Sequence, residues 1–513
     1  MSDPRLLRGA PLDGRPLGRL GDVGVRAGGR LLAGAAQLRI GGAATDTRAV
    51  RAGDLFCALR GARVDAHTLL AEAFAAGAAA VLVDRAPGDG WSLEQVPAGA
   101  GAVAVPSVVA GLGRLARAHL GALHPGPLVV GVTGSVGKTT TCGLIAVALG
   151  AGGAPVLVPD ESFNTEVTVP LVCLRAAAEH RFAVLELAMR GPGQIAHLAA
   201  LCLPHLGVLT VIGESHLELL GSVEAIAAAK GELLCALPAQ GWAVLNADDP
   251  RQRPLAARSA APVATYGFHP GADASGADLR ALPGGGFSFT VRLRRSGRAV
   301  PARLPLLGRH QVQSALAALC CAELAGVDPA LAAAALETVQ APRGRLTLRG
   351  AGRLRLLDDT FNAAPQSALA ALRTLSGLAA PGCRAAVLGD MLELGGAAAA
   401  GHRRVGRAAA RAGLSWLLTV GVHGAGIAAA AVAAGLPAKA VVAVADVEAA
   451  QAVLPELLQA AAPGTVVLFK ASHAVRLERL LESAEQWAAE ADARVPGAPP
   501  AAPGAREVTR ARC

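Results

Sequence analysis

At 513 residues the chain is long enough for roughly three domains of about 150 residues, each able to bury its own core. A net charge of +9 with only 3% aromatic residues, and arginines dispersed instead of clustered, argues against a nucleic-acid binder, which needs basic blocks and stacking platforms. The same charge suits a small polyanion such as a nucleotide.

Although 52% of the residues are hydrophobic, much of this is alanine scattered among arginine and glycine. No run of about 18 strongly apolar residues predicts a spanning helix, so no stable membrane insertion is expected. The stretch Met1–Leu20 lacks an apolar signal core, and a cytoplasmic protein is expected. Nine cysteines without a C-x-x-C pair fit neither a zinc site nor a disulfide framework.

In chain order, short apolar runs at Ala79–Val83 and Ala102–Val105, separated by Gly/Asp turns, predict a small α/β module over 1–126. Pro125-Gly126-Pro127 reads as a linker. Leu128–Val132, Phe182–Leu187, Leu206–Ile212 and Trp242–Leu245 then alternate with helical stretches, which predicts a mostly parallel, helix-covered sheet over 127–341. A further boundary is expected at Ala341-Pro342-Arg343-Gly344. Beyond it, Arg384–Leu388, Trp416–Val420 and Thr465–Phe469 predict a second open, Rossmann-like α/β sheet over 342–494. The Pro/Ala/Gly/Arg-rich stretch 495–513 is expected to be disordered.

The strongest chemical signal is G-V-T-G-S-V-G-K-T-T-T at 131–141. Gly134 and Gly137 permit the backbone angles that wrap N–H groups of Ser135, Val136 and their neighbours around phosphate oxygens, and a helix opening at Lys138 points its positive end there. Lys138 supplies a mobile charge for terminal phosphates; Thr139, followed by Thr140, offers a hydroxyl to a divalent cation. The general phosphate-loop pattern wants glycine at 132, where this chain has Val132. A plain strand–helix turn would not account for the Lys138–Thr141 run.

Downstream, Glu186 ends the run F-A-V-L-E-L, placing its carboxylate at the carboxyl edge of a parallel strand, where ligands of open α/β sheets bind. His216 follows the next run in V-I-G-E-S-H. Lys230 falls on a helix whose N-cap is Ser222, with Glu224 in its first turn. Singly these are a strand-end charge, a loop imidazole and a helix lysine. Together with the loop they form a set able to hold two divalent cations around a triphosphate.

These residues resemble the Mur ligase family, ATP-dependent amide-forming enzymes of peptidoglycan precursor synthesis, whose phosphate loop is the T-G-x-x-G-K-T type found here at 133–139. The likeness runs over about residues 30–480. It includes T-D-T-R-A-V-R-A-G-D-L-F from Thr45, S-F-N-T-E-V-T-V-P from Ser162, E-L-A-M-R-G-P-G from Glu186 and G-E-S-H-L-E from Gly213. It continues through A-A-A-K-G-E-L from Ala227, L-N-A-D-D from Leu245, G-R-H-Q-V-Q-S-A-L from Gly308 and L-D-D-T-F-N-A-A-P from Leu357. The piece V-L-G-D-M-L-E-L-G from Val387, followed by His402, is the most specific to one branch of the family.

The resemblance implies three domains: one binding the UDP end of the substrate, a central ATPase, and a C-terminal one that closes over the nucleotide. It implies ATP and two Mg²⁺ ions, with Lys138 on the transferring phosphate, Thr139 and Glu186 on one ion, and His216 and Lys230 on the second. Lys230 would be carboxylated by CO₂. Asp359 would contact the ribose, Arg345 the phosphates, and His310 and Gln311 the nucleotide. Thr47, Arg48, Asn164 and Thr165 would meet the substrate. The implied partners are UDP-N-acetylmuramoyl-tripeptide and D-alanyl-D-alanine, acted on by a monomer.

The chain departs from the family pattern in four places. His310-Gln311-Val312-Gln313-Ser314 stands for H-N-x-x-N, Cys142 for a lysine, Ala364 for an asparagine, and Ala471-Ser472-His473 for G-S-R after Lys470. Alternatives are another Mur-type or folylpolyglutamate-type ligase, the latter lacking the Thr45–Phe56 module, a P-loop regulatory or motor protein that switches on hydrolysis, or a non-catalytic P-loop scaffold.

Overall fold

A computed structural model describes residues 17–493 except 62, 161, 162, 351 and 352; the stretch expected to be disordered, 495–513, lies outside the described residues. Three sheets follow one another along the chain, besides a two-stranded ribbon pairing Gly18–Arg19 with Arg39–Ile40. In the first, Arg30–Ala33, Gly101–Ala104, Ala80–Val83, Leu55–Cys57 and Ala43–Ala44 lie side by side, parallel except for Arg30–Ala33. Its core joins that of the neighbouring domain through the helix Val108–Ala122.

The central sheet has nine strands. Val156–Leu157, Phe182–Glu186, Leu128–Thr133, Leu206–Leu209, Trp242–Asn246, Val263–Gly267 and Ala274–Ala281 run parallel, and Phe287–Leu293 and Arg298–Leu304 finish it as antiparallel edge strands. Phe182–Glu186 and Leu206–Leu209 are buried along their whole length, as expected of strands covered on both faces. The edge strands alternate buried and exposed residues instead. The order places Leu128–Thr133 between Phe182–Glu186 and Leu206–Leu209, so the chain reverses direction across the sheet at the strand that leads into the phosphate loop. Such a switch point opens a crevice at the carboxyl ends of the strands.

The third sheet, Thr347–Arg349, Leu354–Asp358, Thr465–Lys470, Arg384–Gly389, Trp416–Val420 and Val441–Val444, is parallel but for its first strand. Helices cover both faces, with separate apolar clusters above and below. Cys320 and Cys321 are buried in the helix Arg309–Leu324, which packs on the phosphate-loop helix Lys138–Gly150. The eight cysteines among the described residues are free thiols. Among the described residues no helix is long and apolar enough to cross a membrane.

Candidate active site

The phosphate loop follows from glycine placement. Gly134 has φ 154°, and a Cβ there would sit 1.8 Å from Thr210 Oγ1, so only glycine lets the loop lie against the neighbouring strand. Gly137 at φ 87° turns the chain into the helix Lys138–Gly150. Ser135 N donates to Val211 O (2.7 Å), Thr210 Oγ1 to Val136 O (2.7 Å) and Gly213 N to Ser135 Oγ (2.9 Å). These bonds explain why the strand predicted as Leu206–Ile212 stops at Leu209: the next residues leave the sheet to clamp the loop.

Around the loop opens a cavity of about 750 Å³. Ser135, Val136, Gly137, Lys138, Thr139, Thr140, Asn164, Thr165, Glu186, His216, His310, Gln311, Arg345 and Asp359 all line it. Gly134 and Lys230 stand outside its wall. Thr47 and Arg48 do not join it: they form a short turn in the N-terminal domain, where the exposed Arg48 guanidinium lies 2.6 Å from Asp46 and holds that carboxyl down at about 2.

Glu186 is the hub of the set. It is buried at the end of its strand and accepts from Thr139 Oγ1 at 2.6 Å and from Asn164 Nδ2 at 2.9 Å. Asn164, expected to touch substrate, therefore also orients this carboxylate. Lys138 Nζ folds back onto Gly134 O at 3.0 Å; burial lowers its pKa, against the pull of Glu186. From the C-terminal domain Arg345 donates to Thr139 Oγ1 at 2.9 Å while its guanidinium stacks 4.0 Å from the centre of the Phe361 ring.

Lys230, 1% exposed, is among the largest fully buried side chains, and its ammonium makes no hydrogen bond or ion pair with the described residues. Burial, then Lys138, pushes its pKa well below the usual lysine range, with Glu186 opposing. An unpaired buried ammonium is costly. The neutral amine removes that cost, and a neutral amine is the form that adds CO₂. Among the described residues no three His, Cys, Asp or Glu side chains gather as a metal centre. Thr139, Glu186 and His216 offer only a hydroxyl, one carboxylate and one imidazole, a sparse oxygen-rich set that suits Mg²⁺ completed by phosphate oxygens; a carboxylated Lys230 would add the missing anion.

His216 adopts φ 62° at the head of the helix Leu217–Leu220. Its Nδ1 lies 2.6 Å from Glu393 Oε2, with the carboxylate off the N–H axis, so the two groups are in close polar contact short of a linear hydrogen bond. Burial lowers the imidazole pKa and Glu393 opposes that shift.

Of the residues expected to meet the nucleotide, His310 is held at about 4 by burial, Lys470 and Arg373. Asp359 pairs with Lys470 at 2.7 Å, and burial raises its pKa against that pairing. Of the two departures, Gln311 lines the cavity and Ser314 has a partner of its own, accepting from Thr141 Oγ1 (3.0 Å), while between them Gln313 Nε2 donates to Asp248 Oδ2 (2.8 Å). Sequence reasoning assigned no role to Asn246, Tyr266, Gln366 or Arg190, which also line the cavity. Asn246 lies in the noted L-N-A-D-D stretch and Arg190 in E-L-A-M-R, so a signal was present; for Tyr266 and Gln366 there was none.

Three family models match the chain: "Mur ligase family, catalytic domain" over 39–120, "Mur ligase middle domain" over 132–322 and "Mur ligase, glutamate ligase domain" over 344–473. The UDP-N-acetylmuramoyl-tripeptide–D-alanyl-D-alanine ligase of Mycobacterium leprae is 39% identical over 494 residues, spanning 87% of this chain and 93% of that protein. The crystal structure of MurF from Acinetobacter baumannii superposes with a TM-score of 0.82 at 28% identity, covering 93% of this chain and all of that one. MurF ligase from Thermotoga maritima in complex with ADP gives 0.75 at 28% identity, covering 88% and 98%.

Proposed function

The chain belongs to the Mur ligase family, and on that premise we propose that it joins D-alanyl-D-alanine to UDP-N-acetylmuramoyl-tripeptide with cleavage of ATP, giving the UDP-muramoyl-pentapeptide used in peptidoglycan synthesis. The observation that carries this reading is a single cavity walled by the phosphate loop on one side and by Arg345, Asp359 and Lys470 of the C-terminal domain on the other. A carboxylate activated there is shielded from water, which an acyl phosphate requires.

A carboxylate is a poor acyl donor. Its oxygen first attacks the γ-phosphorus, the bond to the β-phosphate oxygen breaks, and ADP departs from an acyl phosphate. The amine of D-alanyl-D-alanine then attacks the carbonyl carbon, inorganic phosphate leaves, and the nitrogen sheds a proton. Lys138, freed from Gly134 O, follows the transferring phosphoryl group and offsets its charge. Arg345, braced on Phe361, swings from Thr139 to the same phosphates. Asn164 holds Glu186 in place. Two Mg²⁺ ions, held by Thr139 with Glu186 and by His216 with a carboxylated Lys230, would supply further neutralisation of phosphate charge when bound. At Lys230 the neutral amine nitrogen bonds to the carbon of CO₂ and loses its proton.

In this reading residues 1–126 bind the UDP end through Thr47 and Arg48, residues 127–341 bind ATP, residues 342–494 close over it, and the enzyme works as a cytoplasmic monomer. Incubation with ATP, Mg²⁺, the UDP-tripeptide and D-alanyl-D-alanine should release phosphate and UDP-pentapeptide in equal amounts. Phosphate release indifferent to D-alanyl-D-alanine, without pentapeptide, would overturn the proposal and leave a nucleotide-hydrolysing scaffold.

A further inference from the structure

The D-M-L-E-L segment, residues 390–394, has no part in the chemistry above, yet it is anchored nearly residue by residue. The Asp390 carboxylate accepts from His423 N (2.9 Å) and Gly424 N (2.8 Å), and its carbonyl accepts from Ser472 N (2.9 Å). Met391 N donates to His402 Nε2 (2.9 Å) and Leu392 N to Ser472 Oγ (2.9 Å), while Met391 and Leu394 are buried in the C-terminal core. That scaffold presents Glu393 at φ 61°, a left-handed conformation uncommon for residues other than glycine.

From there Glu393 reaches across to the central domain at three points. Oε2 approaches His216 Nδ1 at 2.6 Å, Oε1 accepts from Arg190 Nη2 at 2.9 Å, and the backbone carbonyl accepts from Glu218 N at 3.2 Å. The His216 loop is gripped by the same domain elsewhere. Arg404 forks onto the Glu214 carboxylate. Gln366 fills the space a side chain at Gly213 would need, and Gly395 packs on Glu218. With Nδ1 turned to Glu393, Nε2 is the ring nitrogen left for the cavity that His216 lines.

We propose that Glu393 is a positioning residue for His216: when the C-terminal domain closes, its carboxylate, steadied by Arg190, aims the imidazole, so the second cation site is completed only in the closed enzyme. This rests on the metal role proposed for His216. A carboxylate behind a ligating imidazole fixes ring orientation and raises ligand basicity, and losing such a partner costs about 10–100-fold in metal affinity. Domain closure and cation binding thereby become one linked equilibrium, each favouring the other by the same factor.

Mn²⁺ binding, read by electron paramagnetic resonance in the presence of bicarbonate and a non-hydrolysable ATP analogue, tests this without turnover. Small-angle scattering of the same samples reports closure. Glu393→Ala should weaken Mn²⁺ binding by about 10-fold or more and expand the analogue-bound protein. It should lower kcat while leaving KM for the UDP-tripeptide within about threefold. Glu393→Gln, nearly the same shape without the charge, should fall between Glu393→Ala and the unmodified protein and serves if the alanine variant does not fold. Mn²⁺ affinity within about threefold of the unmodified protein in the folded variants would overturn the proposal, whatever happens to closure. An unmodified protein that makes no pentapeptide but loses Mn²⁺ on Glu393→Ala would sink the substrate assignment alone.

Discussion

The two walls of the cavity are built in opposite ways. The central-domain wall is mostly local: residues 134–140 are consecutive, Glu186 ends a strand of the same sheet, and His216 heads the short helix after the next one. The C-terminal wall gathers side chains far apart in the chain, such as Asp359 with Lys470 at 2.7 Å, and meets the first wall where Arg345 donates to Thr139 at 2.9 Å. In the proposed reading the first wall holds phosphates by backbone geometry set by its glycines. The second depends on two domains meeting, so it can report closure.

That contrast makes removal of a central-domain group the more severe loss. Lys230→Ala should lower pentapeptide formation on the order of 10³-fold or more, and excess bicarbonate should not restore it; near-normal turnover would remove Lys230 from the cation site. On the opposite wall, Arg345→Ala should lower kcat about 10²-fold with nucleotide still bound. A comparable loss of ATP-analogue affinity by calorimetry would mean that the C-terminal wall binds the ground state and the contrast fails.

The smallest expected effect is a pH dependence. The folded-state pKa of His310, about 4, lies below its ordinary 6.5, so the folded protein disfavours the charged ring. The stability that goes with the neutral ring is full above pH 6.5 and is lost as pH falls toward 4. His310→Gln should flatten that part of a plot of Tm against pH by a modest amount. An unchanged slope between pH 6.5 and 4 would place the acid sensitivity elsewhere.

Strand runs were legible where burial is two-sided. Trp416–Val420 agrees residue for residue with its predicted run, and Leu128–Thr133 and Phe182–Glu186 differ from theirs by one residue at one end, because continuous apolar runs of that length suit a strand covered on both faces. The antiparallel edge, Ala274–Ala281 to Arg298–Leu304, escaped notice. Its strands carry exposed charges such as Arg280, Arg292 and Arg303, and a half-solvated strand resembles a loop in a chain so rich in arginine and glycine.

By itself the sequence determined the parallel architecture, the phosphate loop and the family, since each depends on residues close together in the chain: glycines where φ must be positive, a carboxylate at a strand end, a lysine on a capped helix. Only the tertiary structure decided that Lys230 is buried, that Asn164 holds Glu186, and that Glu393 faces His216. Those facts depend on which segments, distant in sequence, pack against one another. No local periodicity encodes a contact between residues 216 and 393, because the free energy that brings them together belongs to the docking of whole domains.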